Sequence, residues 1–116
     1  MVVVDASVVY KWLIFEDPET AKTAEAVLEN FRSSKIDIII PDILLYEIGN
    51  TLAFKSRLKE PDIRRAWKQL ANYNLSMFTP TYDFIEKIIS FSKKHKVSVY
   101  DASYAVLAQE NKCDLI

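Results

Sequence analysis

The chain holds a single glycine, Gly49, among its 116 residues. Glycine-rich loops of the GxGxxG or GxxxxGKS/T kind, whose backbone amides cradle phosphates, are therefore excluded, and with them nucleotide cofactors bound that way. A single cysteine, Cys113, excludes an internal disulfide framework and fits a reducing cytosol. A small buried hydrophobe is its expected role. The one histidine, His95, stands in the cationic run Lys93-Lys94-His95-Lys96 with no neighbouring acid to orient it. Surface charge is expected of it, not catalysis. No stretch approaches the ~20 apolar residues of a membrane span. Asp5 and Lys11 also interrupt the N-terminal run where a secretory signal needs unbroken apolar residues. A cytoplasmic protein with no membrane partner is the expectation. Net charge is only −1, so a nucleic-acid footprint must be local or assembled by oligomerisation.

What is present suffices for one domain over residues 1–116, since half of the residues are hydrophobic. Met1-Val2-Val3-Val4 is a short apolar strand that runs directly into Asp5, and Ser7 to Leu13 follows as a short helix. Asp17-Pro18-Glu19 signals a helix start, with an aspartate cap and proline at the first helical position, and the pattern continues to about Phe31. Ile36 to Ile40 is β-branched and predicts a second strand ended by Pro41. Asp42 is expected to cap a helix from Ile43 to about Leu58. Glu60-Pro61-Asp62 separates it from another that includes Ile63 to Tyr73. Ser76 to Thr79 predicts a third strand. Thr81 caps a fifth helix, Asp101 opens a sixth that ends at Gln109, and Cys113 to Ile116 begins a fourth strand. Strands alternating with helices, with no hairpin turn chemistry, predict an α/β domain whose parallel sheet is flanked by helices.

Three acids share one character. Asp5 follows three valines, Glu47 lies inside Ile43-Leu44-Leu45-Tyr46-Glu47-Ile48, and Asp101 is flanked by Val99, Tyr100, Ala102 and Tyr104. A half-buried carboxylate costs several kcal/mol unless it is paired or metal-bound. No Lys or Arg lies within four residues of Glu47 or Asp101. In a parallel sheet, helix starts cluster at the C-terminal edge of the strands, so Asp5 and Glu47 can meet there. Converging carboxylates are best relieved by a hard divalent ion, and an oxygen-only set favours Mg2+ or Mn2+ over zinc. Each acid also has a structural role open to it: Ser98-x-x-Asp101 has the form of a capping box.

Val2-Val3-Val4-Asp5-Ala6-Ser7-Val8-Val9-Tyr10-Lys11-Trp12 resembles the opening of PIN-domain ribonucleases, particularly VapC-type toxins of toxin–antitoxin pairs. The resemblance continues through Pro41-Asp42-Ile43-Leu44-Leu45-Tyr46-Glu47-Ile48-Gly49-Asn50 and Val99-Tyr100-Asp101-Ala102-Ser103-Tyr104-Ala105-Val106-Leu107-Ala108. Each motif is weak alone; their order and spacing are specific. The resemblance implies a three-layer PIN-like fold and an Mg2+- or Mn2+-dependent endoribonuclease. In it Asp5 and Asp101 hold metal, Glu47 is the third catalytic acid, and Ser7 and Asn50 are accessory. It also implies an RNA substrate, a small VapB-like antitoxin and a homodimer. Lys55, Arg57, Arg64 and Arg65 lie in the densest basic stretch and are candidates for holding RNA, against the plainer role of solvated helix faces. Trp12, Phe15 and Trp67 are candidates for a partner surface or for the core.

The chain departs from the family in one respect. The family carries a further acid just after the fourth strand, in a Thr-x-Asp-like turn, whereas the sequence given ends at Ile116. Asp114 opens that strand, roughly 7–10 Å from the catalytic edge at ~3.3 Å per residue. The expectation is a domain truncated at its C-terminus, with the family's last strand missing. The alternative function is a non-catalytic PIN-like binding or scaffold domain with an incomplete acidic site.

Overall fold

The computed structural model describes residues 1–14 and 17–116. Phe15 lies outside the described residues. In chain order the elements are β1 (Val2–Val3), α1 (Ala6–Leu13), α2 (Pro18–Arg32), β2 (Ile38–Pro41), α3 (Ile43–Phe54), α4 (Glu60–Tyr73), β3 (Ser76–Phe78), α5 (Tyr82–His95), α6 (Val99–Glu110) and β4 (Asp114–Leu115). All strand pairs are parallel, in the order β3-β2-β1-β4. β1 is thus an inner strand, which is why it reads as an unbroken valine run: Val3 and Val4 are fully buried. Pairing continues past its formal end, because Ile116 N–H donates to Val3 O at 2.8 Å and Asp5 N–H to Ile116 O at 3.1 Å. Asp5 therefore sits at the C-terminal edge of the sheet. Asp114 pairs with Val2, three residues before Asp5, and so lies roughly 10 Å from that edge.

α6 lies across β1, β2 and β4 and packs on α5, while α1 packs against α2, α3 and α4. The main core joins Val3, Val4, Leu44, Ile48, Leu52 and Leu107, and a smaller cluster of Ile88, Ala102 and Val106 seals α5 to α6. The expected helix starts at Asp17 and Thr81 both form. Asp17 accepts from Glu19 N–H at 3.0 Å with Pro18 in the first turn, and Thr81 Oγ1 accepts from Phe84 N–H at 3.2 Å. Thr81→Ala should therefore lower stability by about 1 kcal/mol, read as a reduced urea midpoint at unchanged slope.

Other boundaries differ from expectation, each for a local reason. β2 starts at Ile38, not Ile36, because the amides of Lys35 and Ile36 are spent closing α2 on Asn30 O. Asp42 makes no side-chain cap: its backbone is helical (φ −61°, ψ −27°), whereas a capping residue is normally extended. α3 stops at Phe54, short of Leu58. There Ser56 Oγ donates to Leu52 O at 2.6 Å and accepts from Leu58 N–H at 3.2 Å, and Arg57 turns left-handed at φ 59°. Lys55 and Arg57 are consequently beyond the helix that carries Glu47. Glu60-Pro61-Asp62 opens α4 rather than preceding it. α6 begins at Val99, two residues before Asp101, because Ser98 is its cap.

Candidate active site

Asp5 has two structural duties already. As N-cap of α1 its Oδ1 accepts from Ser7 N–H (2.9 Å), Val8 N–H (3.2 Å) and Ser7 Oγ (2.5 Å), and its own N–H ties β1 to Ile116. The carboxylate is half-buried and held at a helix N-terminus, where negative charge is favoured. Ser7, expected as an accessory residue, thus orients Asp5 directly.

Glu47 lies on α3, one turn after Ile43, and is half-buried between the buried Leu44 and Ile48. Its Oε1 accepts from the hydroxyl of Tyr104 at 2.6 Å. Tyr104, on α6, is only 3% exposed. Burial pushes its pKa well above the ordinary tyrosine range, reinforced by the hydrogen bond to Glu47 and by the charges of Glu47 and Asp5. A backbone hydrogen bond with Ala6 works the other way. One hydroxyl therefore senses both acids and the β1–α1 junction.

Asp101 is the third residue of α6, and its N–H donates to Ser98 Oγ at 3.0 Å. The half-buried carboxylate expected there is exposed. With the helix starting at Val99, the residues Ala102, Ser103 and Tyr104 take the inner face and turn Asp101 outward. Its carboxylate has no hydrogen-bond or ion-pair partner among the described residues. It lies one turn before Tyr104, about 4.5 Å along the helix axis. Asn50 is exposed one turn beyond Glu47.

Electrostatically the edge is uncompensated. Among the described residues the ion pairs are Arg64 with Glu60, Arg65 with Asp62 and Lys87 with Glu110, and none touches Asp5, Glu47 or Asp101. Among the described residues, likewise, no three His, Cys, Asp or Glu side chains stand together as a ready-made metal cage. Arg64 and Arg65 are engaged along their own helix, while Lys55 and Arg57 are exposed in the turn after α3.

Sequence reasoning missed Tyr104 as a partner of Glu47. The two are 57 residues apart, and the available signal was a tyrosine one turn after Asp101 on an otherwise small-residue inner face. Trp12 is buried, its indole N–H donating to Ala24 O at 2.7 Å and its ring meeting Tyr73 edge-on, so it is a core residue and no partner surface. Trp67 is 37% exposed. Cys113 is only half-buried. His95 is exposed and stacks on Phe91, as a surface residue.

A parallel α/β sheet flanked by helices, with Asp5 at its C-terminal edge, defines a class of fold. The family model of the PIN domain matches residues 2–116, and the chain belongs to that family. Among solved structures it is similar to VapC20 of Mycobacterium tuberculosis, described as a sarcin–ricin loop cleaving toxin: TM-score 0.73 at 16% identity, covering 97% of this chain and 85% of that one. PAE2754 from Pyrobaculum aerophilum matches with TM-score 0.69 at 22% identity over 98% and 76% of the two chains. FitAcB from Neisseria gonorrhoeae gives 0.64 at 16% identity over 99% and 85%. These likenesses establish the shared fold. No curated protein matches the sequence.

Proposed function

We propose that this PIN domain is a metal-dependent endoribonuclease that hydrolyses RNA phosphodiester bonds, the toxin of a VapBC-type toxin–antitoxin pair. The observation that carries the reading is Glu47 bonded to a buried hydroxyl that also feels the charge of Asp5, with no ion pair to either acid among the described residues. The fold shared with VapC20, a protein named as an RNA-loop-cleaving toxin, supports it.

The donor chemistry fits a hard ion. Asp5 uses Oδ1 for all its side-chain bonds to α1, Glu47 uses Oε1 for Tyr104, and Asp101 is exposed with both oxygens unpartnered among the described residues. Mg2+ is usually held by one or two carboxylates with several waters, so Asp5 and Asp101 suffice where no three acids gather. Bound there, Mg2+ or Mn2+ would neutralise charge on the scissile phosphate and acidify a water. Glu47 takes the proton of the attacking water on Oε2, which its bond to Tyr104 leaves available. Ser7 holds Asp5 in one rotamer, and the exposed amide of Asn50 offers donors to phosphate on the Glu47 face. Lys55 and Arg57, exposed just past α3, are the better placed RNA contacts. Arg64 and Arg65 must first leave Glu60 and Asp62.

The same proposal includes a VapB-like antitoxin that lays an Arg among the carboxylates, and a homodimer using exposed apolar side chains such as Tyr46, Met77 and Tyr82. The cytoplasm is the proposed location. No helix among the described residues is long and apolar enough to cross a membrane.

The test is cleavage of single-stranded RNA with Mn2+. Chelation should abolish it, and Asp101→Asn should slow it by about 100-fold or more, since a metal supplies several kcal/mol of charge stabilisation. Equal cleavage by Asp101→Asn sinks the assignment. The scaffold alternative draws on the absence of three gathered acids among the described residues. It predicts no thermal shift with millimolar Mn2+, where an occupied site would raise Tm by ligand linkage.

A further inference from the structure

Tyr104 stands where three acid-bearing segments meet. It rides on α6 one turn after Asp101, its hydroxyl donates to Oε1 of Glu47 on α3 at 2.6 Å, and the same hydroxyl feels the charge of Asp5 and the backbone of Ala6. The ring cannot swing away from this point. It is nearly fully buried, and its helix neighbours Ala102, Ser103, Val106 and Leu107 are buried with it. Glu47 by contrast carries a flexible side chain with no other side-chain partner among the described residues.

Resting on the nuclease reading above, we infer that Tyr104 is a positioning residue: its hydroxyl clamps Oε1 of Glu47 and so presents Oε2 as the single oxygen that meets the attacking water. The physical basis is the fixed donor. A carboxylate held by one charge-assisted hydrogen bond keeps its plane through the reaction, while a free one must be ordered at each turnover. Rigid α6 supplies the donor, and burial of the ring excludes water that would compete for Oε1.

Tyr104→Phe keeps the ring and removes only the hydroxyl. A hydrogen bond to a charged group of ordinary strength implies a fall in kcat of about 10- to 100-fold, with KM changed less than about twofold. If the tyrosine were merely structural, kcat of the folded protein would stay at the wild-type value, and that result overturns the inference. In a Glu47→Gln background, adding Tyr104→Phe should cost less than about twofold further, because the two act as one unit; losses that multiply overturn it as well. A second readout needs no RNA. The side-chain carboxyl 13C resonance of Glu47, assigned by its disappearance in Glu47→Gln, should move in Tyr104→Phe, and an unmoved resonance refutes the clamp. Wild-type protein that fails to cleave RNA would count against the nuclease reading alone, while the resonance still decides whether Tyr104 orients Glu47.

Discussion

Asp5→Asn should lose RNA cleavage by at least about 100-fold while keeping wild-type stability to within about 0.5 kcal/mol, and Asp5→Ala should lose both. The separation follows from the cap that this side chain provides and the metal-holding role proposed for it. Oδ1 caps α1 through Ser7 and Val8 and takes the Ser7 hydroxyl. Asparagine offers a carbonyl oxygen at the same place and ranks with aspartate as a cap. The negative charge is the part it lacks, and in the proposed function that charge would hold the divalent ion whose positive charge serves the scissile phosphate. Alanine removes the cap too, at a cost of about 1 kcal/mol. Urea unfolding and Mn2+-dependent cleavage, measured on the same two variants, decide the matter. A fully active Asp5→Asn refutes the metal-holding role, and an Asp5→Ala as stable as wild type refutes the cap.

The largest stability effect should come from Leu107→Ala. Leu107 is fully buried on α6 within the main core. Removing its side chain leaves a cavity beneath the helix that carries Asp101 and Tyr104, with an expected loss of about 2–5 kcal/mol. For a chain of this size that corresponds to a fall in Tm of roughly 8–20 °C. Calorimetry reads it directly. A change below 1 kcal/mol would mean that α6 is not seated on the sheet as described.

Legibility of the fold followed the range of the interactions involved. The strand ending in Asp5, the capped starts at Asp17 and Thr81 and the β–α alternation were all readable, because each depends on chemistry within a few residues: apolar runs, side-chain acceptors near free amides, proline in the first turn. The parallel sheet followed from the absence of hairpin turns. Boundaries failed where a residue had two uses. Asp42 has the composition of a cap, yet its N–H continues the β2–β3 ladder to Phe78 O at 3.1 Å and its backbone is already helical. Ser56 ends α3 by turning its hydroxyl back onto Leu52 O, a choice that helix propensity does not register.

The candidate site divides in the same way. Asp5, Glu47 and Asp101 stood out as acids set among apolar residues, and Asp5 was correctly assigned to the strand edge. Asp101 was expected to be half-buried because its sequence neighbours are apolar. The first turn of α6 leaves Val99, Tyr100 and Asp101 all exposed, and burial begins only at Ala102. Trp12 and Trp67 are alike in composition, and only packing sends the first into the core and leaves the second partly exposed.

The sequence by itself determined that a buried strand delivers Asp5 to its end and that Glu47 sits in an apolar helical run, because strand pattern and capping are local. The tertiary structure alone decided that Glu47 answers to Tyr104, 57 residues away, and that Asp5 lies within electrostatic reach of the same hydroxyl. That meeting depends on how α3 and α6 join one core, and packing is a property of the assembled core that no local stretch encodes.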